Sequence, residues 1–450
     1  MVAAAHHVSP LAERLGVLKL TGAVEEIASL GVLHLANAPY QNGQPACAWD
    51  SSEIALPVAD AKEEIRESVL IDIGGTQTKV GYQNGLGEIR SVFDHANTWF
   101  ENKASFEGPP LEQFISVLIS EIRRALPQLT PTCCIGLIWS NQVQCVPIHR
   151  RDTLGVSGIV RGTKTGGYRK GEWFLREVRD GDDVGALFLR TLSRFGWTPS
   201  VFLLGNDTIF TLFAISHATA GVVMSSGGNC TVIGDEGREK GHIINTELGG
   251  HLKLPEHLLS DGDRACATFR GVSSLALEEL CAGTWFPHIV YAHVCAAVEL
   301  PEGAPLTNLR DALVSGEVSL TNRMLVAALK QHSPTSLPAE VASAGSTFVQ
   351  LLEALVNRAG LLAGILSYLS ISSQLNTTEK KALVSLDSSM ARHFPGFYTA
   401  LKSTFQELCG TRAGDIALIR PQEFPQGGDI SVPMQGIARA LNTFRASPAD

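Results

Sequence analysis

The sequence predicts an α/β protein of two lobes, each opening on a strand that ends in a glycine turn. Three observations carry this reading. The run Leu70-Ile71-Asp72-Ile73-Gly74-Gly75-Thr76-Gln77-Thr78-Lys79 is an apolar strand that stops at a carboxylate and paired glycines. A second turn, Ser225-Ser226-Gly227-Gly228-Asn229, lies between apolar runs at 221–224 and 230–233. Around both turns, strand-length apolar runs alternate with amphipathic runs of helical length.

The elements follow in order. Helical periodicity runs from about 11 to 35 and breaks in the Pro/Gly/Asn-rich stretch at 39–45. Residues 69–73 read as a strand, 80–82 as its continuation after the glycine turn, 111–126 as a helix and 133–139 as a buried strand. A short strand at 201–204 stops at Gly205-Asn206-Asp207-Thr208, ahead of a helix at 209–217. The second lobe continues with strands at 221–224, 230–233, 241–245 and 382–386, and helices at 272–298, 340–372 and 390–408. The expected domains are an N-terminal helix and linker over 1–60, a small lobe over 61–208 completed by 428–450, and a large lobe over 209–427.

A chain of 450 residues has room for two or three domains, and 43 glycines with 44% hydrophobic residues fit a sheet-rich globular protein. The net charge of -9 argues against a main task of holding nucleic acid or an anionic membrane, since both need clustered Lys and Arg. The opening residues lack a signal-peptide pattern, and the apolar stretch at 359–371 is too short to span a bilayer. A cytoplasmic protein without a membrane span is expected. The nine cysteines show no CxxC or Cys/His metal spacing and are expected to be reduced and mostly buried.

Paired glycines leave backbone N–H groups uncovered, and Thr76 and Lys79 add donors, so Asp72 to Lys79 has the chemistry of a phosphate cradle. The second turn places Ser226 and Gly227 to grip the other side of a polyphosphate. Asp207 ends a buried strand, where it is either a helix N-cap or a base that accepts a hydroxyl proton during phosphoryl transfer. Glu247, ahead of Gly249-Gly250, either accepts two hydrogen bonds from a vicinal diol or stabilises a turn. Glu278 and Glu279 lie in a helical pattern, and the plainer reading has one of them facing solvent. The glycine-rich basic loop from Arg161 to Lys170 reads as a surface loop.

At these positions the sequence resembles the hexokinase family, a branch of the sugar kinases, actin and chaperone ATPases built on two ribonuclease-H-like lobes around a cleft. The likeness runs in order from about Leu70 to Leu441. Asp72-Ile73-Gly74-Gly75-Thr76 is similar to the family's first phosphate motif, with Gln77 and Lys79 where Asn and Arg are usual. Ser140 is similar to the serine of its Ser-Phe-Pro turn, followed here by Asn141-Gln142, and Thr163-Lys164-Thr165-Gly166 is similar to its Thr-Lys-Gly-Phe loop. Asn206-Asp207-Thr208 matches Asn-Asp-Thr, and Ser226-Gly227-Gly228-Asn229 resembles Thr-Gly-x-Asn. Asn245-Thr246-Glu247-Leu248-Gly249 resembles Asn-Met-Glu-Trp-Gly, and Leu277-Glu278-Glu279 the Phe-Glu-Lys helix start. Leu386-Asp387-Ser388-Ser389 stands where the family has Val-Asp-Gly-Ser/Thr, and Gly428-Asp429-Ile430-Ser431 loosely echoes its closing Gly-Ser-Gly-Lys-Gly segment.

The resemblance implies ATP- and Mg2+-dependent phosphorylation of a hexose hydroxyl, most simply glucose to glucose 6-phosphate. It implies Asp207 as general base and Ser140, Thr163, Lys164, Asn206, Asn229, Glu247 and Glu278 as the acceptor site. It further implies Asp72, Gly74, Gly75, Thr76, Gln77, Ser226, Gly227 and Ser388 as the nucleotide site, with Asp72 reaching magnesium through water. The departures at Asn141-Gln142 and Thr165 leave open an amino sugar, a cyclitol or another polyol as acceptor. Ser388 in place of glycine leaves open a catalytically silent sugar sensor.

Overall fold

The computed structural model describes residues 9–37, 64–74, 77–96, 110–140, 142–148, 152–160, 178–233, 243–330, 337–375, 382–420 and 430–444, with short strand pieces within 40–49 and 168–175. The chain enters through Pro10–Arg14 (α1) and Val24–Asn37 (α2), joined by a 3-10 helix, Val17–Ala23, after Gly16 turns left-handed at φ 71°. Tyr40–Gln41 (β1) pairs with Gln44–Pro45 (β2), and Ala48–Trp49 (β3) joins the edge of a larger sheet.

That larger sheet is the second of two. In the first, Ser68–Ile73 (β4), Gln77–Gln83 (β5) and Ile89–Ala96 (β6) are antiparallel neighbours. Cys134–Trp139 (β7) lies parallel to β4. Beyond it come the hairpin Val143–Pro147 (β8) with Leu154–Val160 (β9) and the parallel strand Val201–Gly205 (β12), in the order β6-β5-β4-β7-β12-β9-β8. Tyr168–Lys170 (β10) and Trp173–Leu175 (β11) form a separate hairpin. In the second sheet, Ala220–Met224 (β13), Gly228–Ile233 (β14) and Ile243–Asn245 (β15) are antiparallel neighbours. Ala382–Asp387 (β16) and Ile416–Ile419 (β17) extend it in parallel, giving β17-β16-β13-β14-β15-β3. Counted within each lobe, five strands therefore run 3-2-1-4-5 in both sheets, with strands 1, 4 and 5 parallel. This is the ribonuclease-H-like plan, repeated.

Successive strand residues point to opposite faces, so each buried strand of the first sheet feeds two cores. Val69, Ile71 and Ile73 pack under Leu111–Ala125 (α3) and Val184–Arg194 (α4) through Phe114, Leu118 and Phe188. Leu70, Ile138 and Leu203 face the other way, under Asp207–Phe213 (α5) and the C-terminal Val432–Thr443 (α16). Gly436 permits the close crossing of those two helices, because a Cβ there would lie 1.6 Å from Phe210 O.

The large lobe adds Leu248–His251 (α6), Asp261–Phe269 (α7), Leu277–Cys281 (α8), Phe286–Ala297 (α9), Thr307–Ser315 (α10), Asn322–Leu329 (α11), Ala339–Ser343 (α12), Gly345–Leu369 (α13), Ser389–His393 (α14) and Phe397–Cys409 (α15). Helix α13, longer than the apolar stretch expected at 359–371, is by length and composition able to cross a membrane, yet most of it is buried inside this fold. Its Arg358 pairs with Asp263 of α7 at 2.6 Å, both side chains fully enclosed. Leu11, Leu15, Leu20 and Ile27 share a core with the apolar residues of α13. The single helices expected at 272–298, 340–372 and 390–408 are each two. Left-handed Gly345 (φ 54°) and Gly396 (φ 85°) stand at the second and third breaks. The described cysteines are free, and all but Cys295 are buried.

Candidate active site

Strand β4 delivers Asp72 to its end, opposite Lys79 of β5 and beside Ile138 of β7. Burial pushes the Asp72 carboxyl up to about 6; Lys79 works against that, while the charges of Asp207 and Asp387 add to it. Ser431, the N-cap of α16, donates its hydroxyl to Asp72 Oδ2 at 3.2 Å. The glycine turn is closed by Gly74 N–H donating to Gln77 O at 2.9 Å, and the Gln77 side chain is exposed. Gly75 and Thr76 lie outside the described residues, as do Thr163 and Lys164.

Asp207 opens α5 directly behind β12. The N-cap is its neighbour Asn206, whose side-chain oxygen accepts Thr208 N–H at 2.9 Å and whose Nδ2 donates to Trp139 O at 3.4 Å. Asp207 Oδ1 also accepts Thr208 N–H, at 2.9 Å. Asn206 and Thr208 are buried, whereas Asp207 between them is partly exposed. Capping is thus supplied by Asn206, and Asp207 keeps part of its surface exposed.

A third strand-end carboxylate was absent from the sequence-derived site. Asp387 closes β16, and burial raises its carboxyl, opposed by Arg392 and Lys79 and reinforced by Asp207. The charge of Asp207, just beyond β12, therefore reaches the carboxyls of both Asp72 at the end of β4 and Asp387 at the end of β16. The signal was in the sequence, since Leu386-Asp387 repeats the pattern of an apolar strand ending in Asp. Ser388 beside it is buried, and its hydroxyl oxygen accepts Ala391 N–H at 3.0 Å as the N-cap of α14.

The second glycine turn is braced from behind. Ser225 N–H donates to Gly227 O at 2.9 Å, and Gly283 N–H donates to Ser225 O at 2.7 Å. Gly283 lies in the break between α8 and α9, which explains why the expected helix at 272–298 is interrupted. Glu278 Oε2 accepts Gly228 N–H at 3.1 Å. A Cβ on Gly227 would lie 2.9 Å from that carboxylate oxygen, and one on Gly249 would lie 1.8 Å from Gly228 O. Glu279 instead accepts Ala276 N–H at 2.5 Å and pairs with Arg270, so neither glutamate is the solvent-facing helix residue of the plainer reading.

Glu247, Asn245 and Asn229 close the constellation. Asn245 Nδ2 donates to Glu247 Oε1 at 2.6 Å and Asn229 Nδ2 to the same oxygen at 3.0 Å. Asn229 Nδ2 also reaches Asn245 Oδ1, and Thr208 Oγ1 lies 3.0 Å from that atom. Glu247 itself sits at φ 52°, a left-handed conformation that costs a non-glycine residue about 1–3 kcal/mol and collects at functional sites. Ser140 is buried at the end of β7, its N–H donating to Ile73 O at 3.3 Å. The structure thus links Asn206, Asn229, Glu247 and the start of α5 in one network, sets Glu278 against the glycine turn that holds Ser226 and Gly227, and joins Asp72 to Asp207 through their charges.

Among the described residues, no group of three or more His, Cys, Asp or Glu is placed to hold a metal ion alone. The strand-end carboxylates nonetheless fit Mg2+, which keeps several waters and takes one or two carboxylates together with substrate phosphates.

No family model and no curated protein matches the sequence. Solved structures do match. A hexokinase from Schistosoma mansoni complexed with glucose superposes with a TM-score of 0.63 at 17% identity, over 96% of this chain and 98% of that one. Another hexokinase gives 0.60 at 16% identity, over 97% and 96%. A ROK family glucokinase from Streptomyces griseus, in complex with glucose and AMPPNP, gives 0.50 at 14% identity, over 83% and 98%. The chain has the two-lobed, actin-like fold of the hexokinases and related sugar kinases.

Proposed function

Starting from that fold, we propose that this protein transfers the terminal phosphoryl group of ATP to a primary hydroxyl of a hexose, most simply converting glucose to glucose 6-phosphate. The observation that carries the reading is the setting of Asp207. It is a partly exposed carboxylate between buried Asn206 and Thr208, and Thr208 reaches the acceptor-side group Asn229, Asn245 and Glu247 through a hydrogen bond.

Asp207 accepts the hydroxyl proton as the acceptor oxygen attacks phosphorus, a role typically worth about 10²- to 10⁴-fold in rate. Glu247 and Glu278 accept hydrogen bonds from acceptor hydroxyls, while Asn206, Asn229, Ser140, Thr163 and Lys164 fix its orientation. The turn from Gly74 to Gln77, with Lys79 behind it, and the turn at Ser226-Gly227 hold the phosphoryl groups from opposite lobes. Asp72 would hold magnesium through water, and the cation would neutralise charge on the phosphates. Because these residues come from both lobes, closure on the acceptor completes the site and excludes water. The glucose and AMPPNP in the comparison structures support a sugar acceptor and ATP.

One observation favours a second reading. Ser388 spends its buried hydroxyl on capping α14, where the family resemblance expects a glycine of the adenosine turn. That fits a sugar sensor with weakened nucleotide binding. A nucleotide-coupled assay with glucose, mannose, glucosamine and cyclitols separates the cases. Turnover with glucose is expected; turnover only with an amino sugar, cyclitol or other polyol changes the acceptor, and sugar binding without any turnover favours the sensor.

A further inference from the structure

Around Asn245 the hydrogen bonds form a chain that crosses from one lobe to the other. Its side chain is fully buried, so it cannot touch an acceptor. A carboxylate oxygen accepts only, so the contact with Glu247 Oε1 at 2.6 Å fixes Nδ2 on that side and turns Oδ1 the other way. Oδ1 then receives Asn229 Nδ2 from β14 and faces Thr208 Oγ1 of α5 at 3.0 Å. Thr208 has one hydroxyl proton and two acceptors, Asn245 Oδ1 at 3.0 Å and Asn206 Oδ1 at 2.7 Å, so that proton is shared between the lobes.

We propose that Asn245 is a positioning residue that couples the acceptor-side carboxylate of Glu247 to the start of α5, and through Thr208 to the placement of Asp207. The inference rests on the phosphotransfer reading above. Glu247 fixes the direction of the amide, and the amide fixes which partner Thr208 sees, so occupancy at Glu247 and alignment of the base are linked through one side chain. The titratable groups around it are Glu247 on its own side, Asp207 from α5, Glu278 from α8 by way of Gly228, and Cys230 of β14, whose Sγ lies 3.3 Å from Thr246 Oγ1.

The Asn245→Asp variant keeps the shape but sets a second carboxylate beside Glu247. Like charges raise the proton affinity of such a pair, and the bound proton restores a donor at low pH. Relative to the parent, glucose affinity and kcat/KM should fall about 10-fold at pH 8, the gap narrowing to about threefold at pH 5.5. Thr208→Val should lower kcat about 10-fold with KM for glucose within about twofold, because it cuts the link to α5 and leaves both donors to Glu247. Glucose binding is followed by titration calorimetry, which needs no turnover. A variant-to-parent ratio that ignores pH, or parental kcat in Thr208→Val, overturns the proposal, and the second variant carries the test should the first not fold. A parent that binds glucose without phosphotransfer, with the pH-dependent gap in binding intact, overturns the phosphotransfer reading alone. A parent that binds none of the tested sugars overturns both.

Discussion

The hydroxyl of Ser431 donates to Asp72 Oδ2 at 3.2 Å, across 359 positions of sequence. The same oxygen caps α16 by accepting Met434 N–H at 3.4 Å, so helix α16 is fastened to the residue proposed to reach magnesium through water. Asp72 holds its proton more tightly in the fold, at about 6 against 3.8, so its contribution to stability is full below 3.8 and is lost as pH rises through 6. Asp72→Asn should therefore raise stability at pH 7 by roughly 1–3 kcal/mol in chemical denaturation while abolishing turnover. Ser431→Ala should lower stability by about 1 kcal/mol and move the Asp72 carboxyl further up.

His293 predicts the opposite slope. Burial lowers its pKa to about 4 from 6.5, despite the nearby charge of Asp263. Its contribution is present above 6.5 and is lost as pH falls through 4, because the unfolded chain takes up the proton first. In the parent the Asp72 and His293 slopes oppose each other over much of this range. Denaturation of the Asp72→Asn variant as a function of pH should expose the His293 limb, with stability falling steadily toward acid.

The glycine packing gives a prediction with an internal control. Gly249→Ala should cost more than about 3 kcal/mol, since its Cβ would lie 1.8 Å from Gly228 O, a backbone atom that must shift to make room. Gly414→Ala, with nothing within 4 Å, should stay within about 0.5 kcal/mol of the parent. Thermal denaturation of the two variants side by side checks this.

Glu247 separates stability from function. Glu247→Gly should relieve the left-handed strain at φ 52° but strip Asn245 Nδ2 and Asn229 Nδ2 of their shared acceptor, so stability should stay within about 1 kcal/mol of the parent while acceptor binding is lost. Glu247→Gln keeps the strain and should raise KM for glucose about 10-fold or more, because one acceptor oxygen becomes a donor. Glucose titration and melting curves on both variants read the two effects independently.

Much of this was legible because the same physical pattern recurs. An apolar strand followed by a carboxylate or a glycine turn identified the ends of β4 and β12 and the turn between β13 and β14, and periodicity found α3 within a residue of its bounds. Strands β8 and β9 were missed: their sequences, Val-Gln-Cys-Val-Pro and Leu-Gly-Val-Ser-Gly-Ile-Val, mix polar and small residues and carry weak β signals. Helix breaks were missed for another reason. Gly283 interrupts a helical pattern because a distant turn needs its N–H, and that partner, Ser225, is 58 positions away by residue number, beyond any local window. Asp387 and Asn245 were visible within motifs, but only tertiary packing reveals the first among the strand-end carboxylates and the second as a junction between lobes.

The proposed role of Asp207 as the base is checked by glucose-dependent ADP formation in the Asp207→Ala variant, with glucose binding measured on the same preparation. The rate should fall by about 10²- to 10⁴-fold, with glucose affinity within a few-fold of the parent. Undiminished sugar-dependent turnover in that variant would contradict it.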